Sequence, residues 1–224
     1  MVGSCSLFTK TWVRAVVVVI VIALLTSFAY TSSNTALQKT AQWGIESTAG
    51  VMATQINASE IQGFKPGDEM SPEYLAVASK LQSMRSMNDK ILNAYILKVN
   101  PDRTVTFVVD DLYPVDQQGS AKIGEVSTAP DKMDILAALS GPTATKEPYT
   151  TKYGSFMTAY APIDDSSSDS RGNTYAVLAI DVSAKDYMDS TNQGGWIIVT
   201  GIVSMFLAGG AILVPGRKAE VKKE

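Results

Sequence analysis

The segment "TYAVLAIDV", residues 174–182, is an apolar run that ends on a carboxylate, Asp181, followed by one more aliphatic residue. In an extended strand alternate side chains face opposite ways. Tyr175, Val177, Ala179 and Asp181 therefore share one face, and Ala176, Leu178, Ile180 and Val182 share the other. The second set is wholly aliphatic and reads as core. In the preceding candidate strand the same alternation groups Phe156, Thr158 and Tyr160 against Ser155, Met157 and Ala159. A face that joins a carboxylate and a small alanine to hydroxyl-bearing neighbours suits a pocket for a polar small molecule. The candidate ligand-binding residues are Asp181, Thr158 and Tyr160, with Tyr149, Tyr153 and, at another strand end, Asp110. Each also has a plainer reading. Asp181 can order the loop after its strand through backbone N–H groups. A half-buried tyrosine can simply pack with its hydroxyl satisfied, and Asp110 with Asp111 can form a solvated strand end.

Other chemistry is poorly provided for. The chain has no histidine, which removes the commonest general base and metal ligand. No nucleophile with a base, no phosphate loop and no zinc spacing occurs, so an enzyme is not expected and no cofactor is implied. The loop "DDSSSDSRGN", residues 164–173, holds three carboxylates but lacks the regular spacing of a calcium loop, and reads as a long polar hairpin connection. Asn57-Ala58-Ser59 fits the N-glycosylation acceptor pattern. The single cysteine, Cys5, precedes the first apolar block, so the central region has no disulfide available.

Two apolar blocks lie near the ends, "TWVRAVVVVIVIALLTSFAY" and "GWIIVTGIVSMFLAGGAILV". Each has roughly 20 residues, which as a helix matches a hydrocarbon core roughly 30 Å thick. The expected layout is a cytoplasmic N-terminus (1–11), a first transmembrane helix (12–30), an extracytoplasmic domain (31–194), a second transmembrane helix (195–214) and a basic cytoplasmic tail (215–224). Lys10 and Arg14 flank the first block, and Arg217, Lys218, Lys222 and Lys223 come after the second. Residues 31–194 carry 13 Lys/Arg against 20 Asp/Glu. That asymmetry places both termini in the cytoplasm of a two-pass plasma-membrane protein, and an acidic domain is a poor partner for nucleic acid. The sequence "SFA" at 27–29 also resembles a signal-peptidase site, which would leave Tyr30 as the mature N-terminus. Ser204 and Ala208 form a small-xxx-small pair in the second block. Such spacing permits close helix contact in lipid, hence a homodimer or a membrane partner protein, though glycine and other small residues are common in membrane helices anyway.

The elements that must position the candidate site can be read from periodicity. Leu37, Ala41, Ile45, Ala49, Met52 and Ile56 recur by threes and fours, so the first helix is expected to run on as a stalk that ends near Gly63, without a hinge before residue 60. Ser71 as N-cap and Pro72 in the first turn open a second helix with the stripe Tyr74, Val77, Leu81, Met84, Met87 and Ile91, its methionines read as core filler. "ILNAYILKV", the turn "NPDR" and "TVTFVVDD" read as an antiparallel hairpin. A short helix in "DKMDILAALS" closes at Gly141-Pro142, and two or three strands come next. The fold class is α+β: one domain with an antiparallel sheet and a long N-terminal helix, flanked by two transmembrane helices.

Residues 120–187 resemble the second half of a Cache domain, the extracellular PAS-like sensor of histidine kinases, diguanylate cyclases and chemoreceptors. The residues that carry the resemblance are Asp131 opening a short helix, Tyr149 and Gly154 in a "Y-x-x-x-x-G" approach, "APIDD" at 161–165, Gly172 in the turn, and "LAIDVSA" at 178–184. Ala179 stands where the family usually has glycine. Over residues 31–119 the similarity is one of arrangement only. The resemblance implies that Asp181 contacts a ligand's amino group. Relatives continue past the second helix into a signalling module, whereas this chain has "PGRKAEVKKE" at that point, so the resemblance covers the input half of a receptor. The resulting expectation is a sensor or ligand-binding subunit, anchored in lipid, that takes a small polar ligand outside the cell and signals through partner proteins. The alternative is a non-sensing accessory or scaffold subunit of a membrane complex.

Overall fold

The computed structural model describes residues 3–164, 174–192 and 194–213. The chain forms two compact units, one of Met1–Leu37 with Thr191–Glu224 and one of Gln38–Ser190. The carboxylate-rich loop at 165–173, the basic tail and the side chains of Cys5 and Lys10 lie outside the described residues.

Two stretches, Trp12–Ala53 and Ala184–Ile212, are long and apolar enough to cross a membrane. The first lies in helix α1 (Gly3–Ala53) and the second takes in all but the last residue of helix α6 (Gly195–Leu213). In the first unit these helices turn apolar side chains outward, Phe28 at 72% and Phe206 at 77% exposure. That is the surface a hydrocarbon solvent requires. They approach closely at Gly201, where an added Cβ would sit 2.4 Å from the side chain of Thr26.

The second unit is built on an antiparallel sheet. Its strands are β1 (Ile91–Val99), β2 (Val105–Asp110), β3 (Thr143–Ala144), β4 (Tyr149–Thr151), β5 (Gly154–Asp164) and β6 (Thr174–Ser183). The order is β2-β1-β6-β5-β3, with β4 also pairing β5. The last long strand thus lies in the middle, between β1 and β5. One face carries Ile96, Leu178 and Ile180 and packs under the end of α1 and under α3 (Pro72–Ser86), through Ala49, Met52, Tyr74, Val77 and Leu81. The other face carries Tyr95, Leu97, Tyr160, Val177 and Ala179 and meets Ile135 and Ala138, of and just after α4 (Lys132–Ala137). Cover on both faces explains why β6 is apolar at nearly every position rather than at every second one.

Local chemistry sets the helix ends. Ser71 accepts a hydrogen bond from Tyr74 N at 3.2 Å and Pro72 fills the first turn, as the N-cap pattern requires. The stalk departs from expectation. α1 ends at Ala53, the next amides tighten to three-residue spacing (Ile56 N to Ala53 O, 3.1 Å), and Asn57 caps a separate short helix α2 (Ala58–Ile61) through Ser59 N at 3.0 Å. An asparagine that can bond a following amide offers the backbone an alternative to continuing the helix. Asn57, the glycosylation candidate, is exposed. Met87 is 87% exposed at the end of α3 rather than core filler, because the helix has stopped and Ile91 already belongs to β1. The short strands β3 and β4, of two and three residues, were not separable by periodicity. Helix α5 (Ala184–Thr191) comes directly after β6.

Candidate functional site

Strand register brings the site together. Asp181 on β6 stands opposite Asn93 on β1 and Thr158 on β5. Its side chain is buried, at 4% exposure, and its partners are side chains from the flanking strands. Thr158 Oγ1 donates to Oδ1 at 2.6 Å, Tyr95 OH donates to the same oxygen at 3.1 Å, and Asn93 Nδ2 donates to Oδ2 at 3.4 Å. These are not the loop amides that a cap would engage. Burial pushes the Asp181 carboxyl up to about 7 against the three hydrogen bonds, and the charge of Asp131 adds to the upward push.

Further hydroxyls continue the network. Tyr149 OH lies 2.7 Å from Thr158 Oγ1 and 3.4 Å from Tyr160 OH. Because the single Thr158 hydroxyl proton goes to Asp181, Tyr149 must be the donor in the first contact. Tyr160 OH donates to Asp131 Oδ2. Asp131 Oδ1 is buried and has no hydrogen-bond partner among the described residues. Burial raises the pKa of Tyr95, Tyr149 and Tyr160, so the phenols stay protonated as donors. Three hydroxyls thus donate to two buried carboxylates, and that of Tyr149 joins them through Thr158.

A cavity of about 40 Å3 adjoins Asp181, walled by rings that include Tyr95, Phe107, Tyr149, Tyr153 and Phe156. That volume admits a few waters at most and no larger molecule without movement. Among the described residues no lysine or arginine lines it. Gly154 lies against one of these rings: its φ of +143° is left to glycine, and a Cβ there would meet the Phe156 ring at 2.6 Å. A second, outer cavity of about 510 Å3 is lined by polar groups including Asp116, Gln117, Lys122 and Lys152. It shares Asn93, Leu112, Gly119, Glu125 and Tyr153 with the inner one.

Of the residues expected from sequence, Asp181, Thr158, Tyr149 and Tyr160 meet in one network. Tyr153 stands at the junction of the two cavities, its hydroxyl donating to Glu125 Oε1 at 2.6 Å. Asp110 lines the inner cavity, but its oxygens accept from Leu112 N at 3.0 Å and Ala121 N at 2.9 Å. They hold the adjoining loop, and burial pushes that carboxyl up to about 6. Neither Asp110 nor Asp111 is a solvated strand end: Asp111 is fully buried against Arg85. Asn93, Tyr95, Phe107 and Glu125 are not among the residues expected from sequence, where Asp131 figures only as a helix start. For the first two a signal was present, since Asn93, Tyr95 and Leu97 alternate on one face of "ILNAYILKV".

No protein-family model matches the chain, and no curated protein matches its sequence. Solved structures do show similarity of arrangement. The periplasmic domain of RsbU from Chlamydia trachomatis is 13% identical with a TM-score of 0.44, over 84% of this chain and 59% of that one. The sensory domain of the Campylobacter jejuni chemoreceptor Tlp3 with isoleucine bound is 16% identical with a TM-score of 0.36, over 84% of this chain and 66% of that one. The Tlp3 ligand-binding domain in complex with L-norvaline is 17% identical with a TM-score of 0.37, over 75% and 64%. The match therefore spans less than two thirds of each of these chains.

Proposed function

We propose that this protein is a membrane-anchored extracytoplasmic sensor of a small molecule bearing a cationic or hydroxyl group, which passes its signal on through partner proteins. One observation carries the reading: a buried carboxylate, Asp181, at the wall of a cavity whose lining, among the described residues, holds no basic side chain. A buried carboxylate without a cationic partner is costly. A ligand's ammonium group would supply that partner. The ligand reaches Asp181 by displacing the aromatic wall, with the outer cavity as its approach.

The test is a thermal-shift screen of amines, amino acids and small carboxylates on the detergent-extracted full chain, repeated with Asp181→Asn. The substitution keeps shape and polarity and removes the charge. It should weaken a cationic hit by roughly 1.5–3 kcal/mol, the range for a hydrogen bond to a charged group. Equal affinity in both proteins removes Asp181 from the site. The small inner volume favours a rival reading, a scaffold subunit whose pocket is filled by its own rings, and a screen without any hit would support it.

The orientation rests on the excess of basic residues outside the central region. Gln118→Cys, on the exposed rim of the outer cavity, should react with an impermeant thiol reagent on intact cells, whereas Cys5 should not. The reverse pattern would invert the topology.

A further inference from the structure

The sheet order puts Asp181 and Tyr95 on the floor of the inner cavity, on the adjacent strands β6 and β1. The two sides of its mouth come from opposite flanks of that floor. On one flank, residues 124–127 lie along the free edge of β2. Phe107 N donates to Glu125 O at 2.9 Å, Gly124 N to Phe107 O at 2.8 Å and Ser127 N to Val105 O at 2.8 Å. A bridge pairs Thr106 with Val126. On the other flank is the β4–β5 turn, which carries Lys152 and Tyr153.

Three side chains join the flanks. Glu125 Oε1 accepts from Lys152 Nζ at 2.7 Å and from Tyr153 OH at 2.6 Å. Lys152 Nζ also lies over the Tyr153 ring, 4.7 Å from its centroid. That ring meets Phe107 edge-on at 6.5 Å, Phe107 meets Tyr95 at 5.4 Å, and Tyr95 holds Asp181. A continuous set of contacts therefore runs from the outer cavity to the buried carboxylate. We infer that Glu125, Lys152 and Tyr153 form a latch across the mouth of the inner cavity, and that releasing it lets the strip at 124–127 lift from the β2 edge and admit a ligand to Asp181.

The chemistry suits a latch rather than a permanent brace. Lys152 is 61% exposed and Glu125 28% exposed, so water and salt compete for their ion pair. The strip is held by main-chain bonds at a sheet edge, from which a segment can detach without opening the core. Tyr153 and Glu125 line both cavities, so separating them would merge the two spaces.

This inference rests on the sensor reading, but its test needs no ligand. Hydrogen exchange is measured on the full chain in detergent, for wild type, Glu125→Gln, Lys152→Met and Tyr153→Phe. Each variant should speed exchange of a peptide covering 119–129 by roughly two- to fivefold, the range expected when a contact of this kind is lost, while peptides from β5 and β6 keep their rates. Raising NaCl to about 1 M should bring wild type toward the Glu125→Gln rate and leave that variant unchanged. Unaltered exchange at 119–129 would overturn the latch, and so would a rise spread equally over β5 and β6, which marks a brace of the whole fold. A ligand screen without hits would count against the sensor reading and leave these rates as they are.

Discussion

Replacing Arg85 by methionine should destabilise the protein by on the order of 3–5 kcal/mol, the cost of leaving a buried charge without its partner. Arg85 Nε lies 2.5 Å from Asp111 Oδ2, and the Asp111 side chain is wholly inaccessible while that of Arg85 is 25% exposed. The other carboxylate oxygen accepts from Ala94 N at 3.1 Å, and Asp111 N donates to Ala94 O at 3.2 Å. The pair thus ties the end of α3 to the junction of β1 and β2. Burial raises the Asp111 pKa and Arg85 opposes that rise, so without the arginine the group must either take up a proton or remain as an isolated anion. In a domain of this size the loss corresponds to a fall in Tm on the order of 10 °C. Adding Asp111→Asn to the same chain should recover much of it, because the amide oxygen still accepts from Ala94 N and no charge is stranded. A single variant that melts like wild type, or a double variant no better than the single, would show that the ion pair does not hold this corner.

The second large effect is in the pH profile, and its sign is opposite to ordinary acid unfolding. Burial pushes the Asp181 carboxyl up to about 7 and that of Asp110 up to about 6. An unfolded aspartate titrates near 3.9. Between these limits the native state holds protons that the unfolded state has released, so stability falls as pH rises. For Asp181 the full contribution is present below about pH 4 and is lost progressively until about pH 7. Across pH 5 to 8 its share is on the order of 2–3 kcal/mol. Asp181→Asn cannot titrate. Its stability curve should therefore decline less steeply than that of wild type over this range, gaining on wild type by that amount between pH 5 and pH 8 and leaving the Asp110 share below about pH 6 in both. Denaturation followed at several pH values checks this, and parallel curves for the two proteins would refute it. A cationic ligand that pairs with Asp181 should lower that pKa and bind more tightly above pH 7 than below it.

Much of the site was legible because its parts repeat locally. Period two grouped Asp181 with Ala179 along residues 174–182 and Thr158 with Tyr160 along residues 155–160, and the register then set these groups on the same side of the sheet, Thr158 directly opposite Asp181. Periods of three and four marked the buried faces of α1 and α3, and the cap at Ser71 marked where α3 begins. Short-range rules failed where competing local bonds were equally available, as at the break between Ala53 and Asn57, or where an element was too short to have a period, as in β3 and β4.

By itself the sequence determined the two apolar helices, the α+β class, and which residues of each strand share a face, since all of these depend on neighbours within a few positions. Only the tertiary structure decided what surrounds Asp181. Sheet order sets β6 between β1 and β5, so Asn93 and Tyr95, 88 and 86 residues away along the chain, become its hydrogen-bond partners. It also brings Asp131 to Tyr160 across 29 residues and closes Glu125 onto Lys152 and Tyr153 across the cavity mouth. Those pairings arise from how the two covered faces of the sheet bury their apolar area together, and the free energy of that packing depends on the whole fold rather than on any one segment.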